Sequence, residues 1–477
     1  MGFSRRQFFK MSAGAAAVTM ADGMLACAAP WANGTQKTER TPPPARQVVQ
    51  EDRNSSKSTS PKTTAGGAAS RGSFNPFKER GMPIDKQFRN WAELVGKPYD
   101  PHSVPAYTRT RIILMNGIEV EATLFSHQFM RHTNDQDLRR ELSLTRRIEQ
   151  QQQKAVAGLI PGEETTLEVV IGYEQLAVDL TAWLARNEPD PYAKQVYDFG
   201  LLEDFDHLYR YADLLHLTQG KRAEEILDHL TEIMPGRPTK LEHRHPFDDV
   251  RRPVTGPKAH PLTNLQVLTL VSAEQQTMNY YMNVGNRPVE PIARGLYAEI
   301  GQIEEQHVTQ YESLMDGSMS WPAQLVLHEY NECYLYHSMM MQEEVPKVRQ
   351  IWELHLAMEL EHLRRAGDLL RKHDKRDPEE MFPQALPVPL TLESNKDYVR
   401  KILKDQVNLT ADGTEFVPTD KLASDHRYFR NQERVNGLWV PTEQIITQHI
   451  AAKGGEYRFQ SEGAHPVEEL RQAKQMS

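Results

Sequence analysis

Two short patterns in the second half of the chain place an imidazole one helical turn after an acid: Glu304-x-x-His307 and Glu359-x-x-His362. Residues i and i+3 share one face of a helix, so each pair can point into the same interior. Each pair follows another acid by the same interval of 30 residues, Glu274 for the first and Glu329 for the second. Carboxylate oxygens with imidazole nitrogens suit iron or manganese, and carboxylates can bridge two ions. Four carboxylates also offset the charge of two divalent ions, which lets such acids be buried together. The candidate ligand set is therefore Glu274, Glu304, His307, Glu329, Glu359 and His362.

Helices must present these residues. From about residue 110 to 372 apolar residues recur at three-four spacing, and strand-like alternation is scarce. The acid-to-acid interval recurs in the first half. Glu119 precedes Glu149 and Gln152, and Glu174 precedes Asp204 and His207. The offset between neighbouring segments is 55 residues in both halves, so a two-segment unit looks duplicated with a period of 155. Pro191, Pro291 and Pro346 fall at one register of their segments, suited to the first turn of a helix. Each segment thus reads as a helical hairpin with its acids at one height, and two hairpins make a four-helix bundle.

The expected fold is all-α, with two tandem bundles. Residues 111–232 form the first, 233–262 a linker, and 263–393 the second, which carries the intact ligand set. In the first, Gln152 stands in place of a histidine and Asp204 in place of a glutamate. The set Glu119, Glu149, Gln152, Glu174, Asp204 and His207 is a possible second site with three open readings. It is degenerate, which is the favoured reading, or it holds one ion or a different pair, or it recruits Glu121, Asp206 or His127.

On these residues the chain resembles the ferritin-like superfamily of di-iron carboxylate proteins, the bundles typified by bacterioferritin and rubrerythrin. The resemblance covers residues 263–372 well and 110–217 in part. It implies two iron ions, alternatively manganese, in the second bundle, with the first bundle uncertain. It also implies an oxidoreductase acting with O2 or peroxide on an unnamed substrate. No pair of CxxC motifs is present, so an external electron donor is expected. The alternatives are a ferroxidase or iron-binding role, a dimanganese catalase, and a non-catalytic helical scaffold.

Other residues near the pattern invite weaker readings. Tyr281 and Tyr336 each follow their segment's first glutamate by seven residues, as near-metal phenols or as core residues. Glu332 is an extra carboxylate or part of a solvated face, and His355 supports a ligand or fills the core. His243 and His245 read as loop residues, and Cys333 as a small buried one.

The ends of the chain read differently. Ser4-Arg5-Arg6-Gln7-Phe8-Phe9-Lys10 and the apolar stretch up to Ala26-Cys27-Ala28 match a twin-arginine export segment, residues 1–28. A periplasmic or otherwise exported location follows. Lipid attachment at Cys27 is the weaker alternative, because Met24-Leu25-Ala26 fits a lipobox poorly. Residues 29–75 are a Pro-, Ser- and Thr-rich tether, 76–110 an irregular lead-in, and 394–477 a C-terminal extension with a helix near Tyr398–Val407. A formal net charge of −9 gives no basic stripe for nucleic acid, and no run after residue 30 is long and apolar enough for a transmembrane segment.

Overall fold

Eight long helices carry the repeat, and each starts and stops where local chemistry dictates. The first hairpin is α1 (Ala106–Arg131) and α2 (Gln136–Ala157); the second is α3 (Thr166–Asn187) and α4 (Pro191–Gln219). The third is α5 (Pro261–Val284) and α6 (Pro291–Glu312); the fourth is α7 (Trp321–Gln342) and α8 (Pro346–Asp374). Pro191, Pro291 and Pro346 each open a helix, where a missing N–H costs nothing. Thr165 and Glu168 close a capping box on α3, and the side chains of Asp135, Asp190 and Ser320 cap α2, α4 and α7.

This is the computed structural model of the chain, and it describes residues 74–454 and 462–474. The export segment and most of the tether lie outside the described residues. The described residues form one unit with an all-α architecture. The exception among the described residues is a two-stranded antiparallel ribbon, β1 (Leu409–Asp412) and β2 (Glu415–Pro418), in register Leu409 to Pro418.

The hairpins do not pair in chain order. The first packs on the fourth, α1 on α7 and α2 on α8, and the second packs on the third, α3 on α5 and α4 on α6. Two four-helix groupings result, with hairpins one and four enclosing two and three in sequence, in place of the one-two and three-four pairing that the duplication suggested. They share a central layer, in which α1 also packs on α3 and α5 and α5 packs on α7. Burial agrees with the arrangement. In α3, every residue from Val169 to Ala185 is buried, and in α7 every residue from Leu325 to Tyr336. A helix apolar or satisfied all round belongs inside, not on a surface. The outer helices α2 and α8 keep one polar face, as expected where water lies on one side.

The flanking segments are anchored. In the lead-in, Met82 N–H donates to Ala357 O of α8 at 2.6 Å. The extension holds α9 (Lys396–Gln406), the ribbon, α10 (Arg427–Asn436) and α11 (Pro441–Lys453). Helix α9 lies on α4, and α11 lies on α4 and α6. The 233–262 segment is more than a linker. Arg237, Glu242, Arg244 and Arg251 in it are buried.

Candidate metal centres

The nested packing sorts the twelve sequence candidates into two clusters. Glu274, Glu304 and His307 meet Glu174, Asp204 and His207 of the second hairpin; call this centre A. Glu329, Glu359 and His362 meet Glu119, Glu149 and Gln152 of the first hairpin; call this centre B. The six residues expected to act together are thus divided three and three, because each ligand-bearing helix faces the hairpin across the central layer.

In centre A, His207 Nδ1 lies 3.1 Å from Glu304 Oε1. His307 Nδ1 lies 3.3 Å from Asp204 Oδ1, 3.4 Å from Glu304 Oε2 and 3.7 Å from Glu274 Oε2. Asp204, Glu274, Glu304 and His307 each bring one donor atom within 4.8 Å of the others, and so do Glu174, His207 and Glu304. Glu304 belongs to both groups. Its six residues are all buried.

The far nitrogen of each imidazole is held by a carboxylate. His307 Nε2 lies 2.8 Å from Glu203 Oε2, and His207 Nε2 lies 3.0 Å from Glu242 Oε2. Burial pushes Glu203 upward, but Arg244, His307 and Arg237 together hold it far below the usual carboxylate range. Glu203 is therefore ionised, and the nitrogen facing it carries the proton. That leaves Nδ1 of His307 turned toward Asp204, Glu274 and Glu304, where a bound divalent ion would displace its proton and take its lone pair. A carboxylate behind an imidazole is the usual support of a histidine ligand.

The donor atoms fit a metal. Both oxygens of Asp204, both of Glu304, Glu174 Oε2 and the Nδ1 atoms of His207 and His307 are buried without a hydrogen bond of good geometry. Buried polar atoms are ordinarily satisfied, and leaving so many orphaned in one place is costly. Burial pushes Glu274 well above the carboxylate range, and Asp204 adds to it. Burial opposes charge on His307, yet Asp204, Glu203 and Glu274 raise it well above its usual value. The cluster asks for positive charge beside Nδ1, which a divalent ion supplies.

Centre B has a different composition. His362 Nδ1 lies 2.9 Å from Glu359 Oε2 and 3.9 Å from both Glu149 Oε1 and Glu329 Oε2. His362 Nε2 lies 2.7 Å from Gln87 Oε1, an amide supplied by the lead-in. Gln152 Nε2 donates to Glu359 instead of acting as an imidazole would. Glu332, one turn beyond Glu329, is buried and belongs to the cluster.

The tyrosines repeat the nesting. Tyr281 OH donates to Glu174, and Tyr336 OH donates to Glu119, each across to the opposite hairpin. His355 supports the second of these, with Nδ1 2.9 Å from Tyr336 OH. Burial, then Arg89, lowers His355 to about 3, so it is neutral. Glu121 pairs with His328 at 2.7 Å and Asp206 with Arg210 at 2.8 Å, and His127 is exposed. None of the three joins a cluster.

Sequence reasoning passed over Glu203, Glu242, Arg237, Arg244 and Gln87. Glu203 could have been found, since it precedes Asp204 and falls a full turn before His207. The others sit in segments without periodicity. Near centre A a cleft of about 510 Å3, lined in part by Arg244, Gln306 and Trp439, reaches the residues behind His307 but no ligand candidate.

Compared with protein-family models, curated proteins and solved structures, the chain matches none. The reading of the site rests on its own geometry.

Proposed function

We propose that the protein is a di-iron carboxylate oxidoreductase of the ferritin-like kind, exported by the twin-arginine route, and that centre A is its active centre. The observation that carries this is the pair of buried imidazoles, each with Nδ1 among carboxylates and Nε2 backed by Glu203 or Glu242. Two iron ions held there would supply electrons to O2 or peroxide. Glu304, common to both ligand groups, would be the carboxylate shared by the two ions. Glu174 and Glu274 complete opposite ends, and Tyr281 fixes one oxygen of Glu174 by donating to it.

The surrounding residues keep this chemistry dry and small in scale. Tyr211, Tyr297 and Tyr311 are buried near the cluster, and large substrates find no opening at the ligands in the neighbouring cleft. Dioxygen and peroxide are small enough to reach such a site through side-chain motion. An external donor or small molecule returns the electrons.

Metal analysis of protein purified from its own host, followed by anaerobic reconstitution with ferrous iron and measurement of peroxide or O2 consumption, tests the proposal. The expected result is about two iron ions in centre A and consumption that His307→Ala abolishes. Protein that takes up no iron, or loaded protein inert to both oxidants, would overturn it.

A further inference from the structure

Centre B is more than a degraded copy of centre A. Two of its buried groups share Glu329: Glu149, Glu329 and His362 form one, and Glu329, Glu332 and Glu359 form the other. In each, one donor atom per residue lies within 4.8 Å of the rest. The second group contains oxygen donors alone. Its Glu329 and Glu332 each leave Oε2 buried and without a hydrogen bond, and Glu149 Oε2 and Gln152 Oε1 nearby are in the same condition. Orphaned oxygens from four residues converging in a sealed interior point to a cation rather than to chance clustering of acids.

We propose that centre B is a second two-ion site in which one position is made of oxygen donors alone and takes a hard divalent cation, for which Mn2+ is the probe. The substitutions that distinguish it from centre A explain the preference. Gln152 removes an imidazole and spends its N–H on Glu359. Glu332 adds a carboxylate where hairpin three has Thr277, a residue whose hydroxyl bonds its own helix at Ala273 O. Nitrogen is thereby exchanged for oxygen, and carboxylate-rich sites suit manganese, magnesium and calcium over softer ions. The single histidine, His362, is backed by the neutral amide of Gln87 and not by a carboxylate, so it is a weaker donor than His307. This proposal concerns hairpins one and four and does not depend on the reaction assigned to centre A.

The test is Mn2+ binding to the metal-stripped full chain, read as free Mn2+ by electron paramagnetic resonance and as the Mn2+-induced rise in Tm. The variants are Glu332→Gln, Glu332→Asp and, for centre A, Asp204→Asn. Glu332→Gln is expected to lose one Mn2+ per chain and part of the Tm rise. Glu332→Asp, which keeps the charge but shortens the reach, is expected to weaken that ion at least tenfold. Asp204→Asn is expected to keep it. Circular dichroism of each variant confirms folding, and the aspartate variant carries the test if the glutamine variant fails to fold. Unchanged Mn2+ stoichiometry and affinity in both Glu332 variants would overturn the proposal. A combined Asp204→Asn and Glu332→Gln variant that loses no more Mn2+ than Asp204→Asn alone would overturn it as well.

Discussion

Glu203 Oε2 stands 2.8 Å behind His307 Nε2, and the same carboxylate receives Arg244 and Arg237 on its other oxygen. One residue of α4 thereby aims an imidazole of α6 into centre A, while its neighbour Asp204 faces His307 Nδ1 from the other side at 3.3 Å. Glu203→Gln keeps the shape and removes the charge. Affinity of centre A for iron, measured by competition with a chelator, should fall roughly 10–100-fold. Glu203→Ala should in addition destabilise the fold by about 3–5 kcal/mol, because buried Arg237 loses its carboxylate and Arg244 keeps only Asp249. Equal affinity in Glu203→Gln and wild type would contradict this role.

Tyr281 and Tyr336 offer a paired comparison. Tyr281→Phe removes the donor to Glu174 and should perturb the visible spectrum of iron in centre A, with a stability loss of about 1–3 kcal/mol. Tyr336→Phe removes the donor to Glu119 and should leave that spectrum as it is. If the two variants change the centre A spectrum alike, the division of the ligands is wrong.

The hairpins and their acids were legible because they depend on local periodicity. The intervals from Glu274 to Glu304 and from Glu329 to Glu359 mark out each hairpin, and Pro291 and Pro346 mark each turn. Pairing was not legible, since a period of 155 fits consecutive and nested packing equally well. Burial does not mark the central layer by itself, since α4 is buried without a break from Val196 to Leu215 beneath α9 and α11, much as α3 and α7 are within the layer. Glu242 and Gln87 were beyond reach for another reason. They come from irregular segments, where no spacing rule links a residue to a helix far away in sequence.

Packing between the second and third hairpins has its own test. A Cβ on Gly200 of α4 would collide with the hydroxyl of Tyr311 on α6, one turn after His307. Tyr311 is buried and cannot swing aside. Gly200→Ala should lower stability by about 1–2 kcal/mol despite the better helix propensity of alanine. A gain in Tm would show that α4 and α6 are farther apart than described.

A pH effect is expected away from both centres. Asp179 of α3 is buried, and burial raises its carboxyl to about 7, against hydrogen bonds from Thr231 and Tyr107. Between about pH 4, the ordinary aspartate value, and pH 7 the folded chain keeps a proton that the unfolded chain releases. Its stabilising effect is thus full below about pH 4 and is lost as pH rises through 7. Asp179→Asn should remove that slope, gaining about 2–4 kcal/mol relative to wild type at pH 8 over pH 4. Chemical denaturation at the two pH values reads it directly, and parallel losses in both proteins would refute it.

The nested arrangement makes His207 and His307 servants of one centre and assigns His362 to the other. Iron stoichiometry with Mössbauer spectra of the reconstituted His207→Ala, His307→Ala and His362→Ala proteins decides the matter. The account predicts that His207→Ala and His307→Ala lose the same iron signal and that His362→Ala keeps it. A signal lost in His307→Ala and His362→Ala together, and retained in His207→Ala, would contradict it.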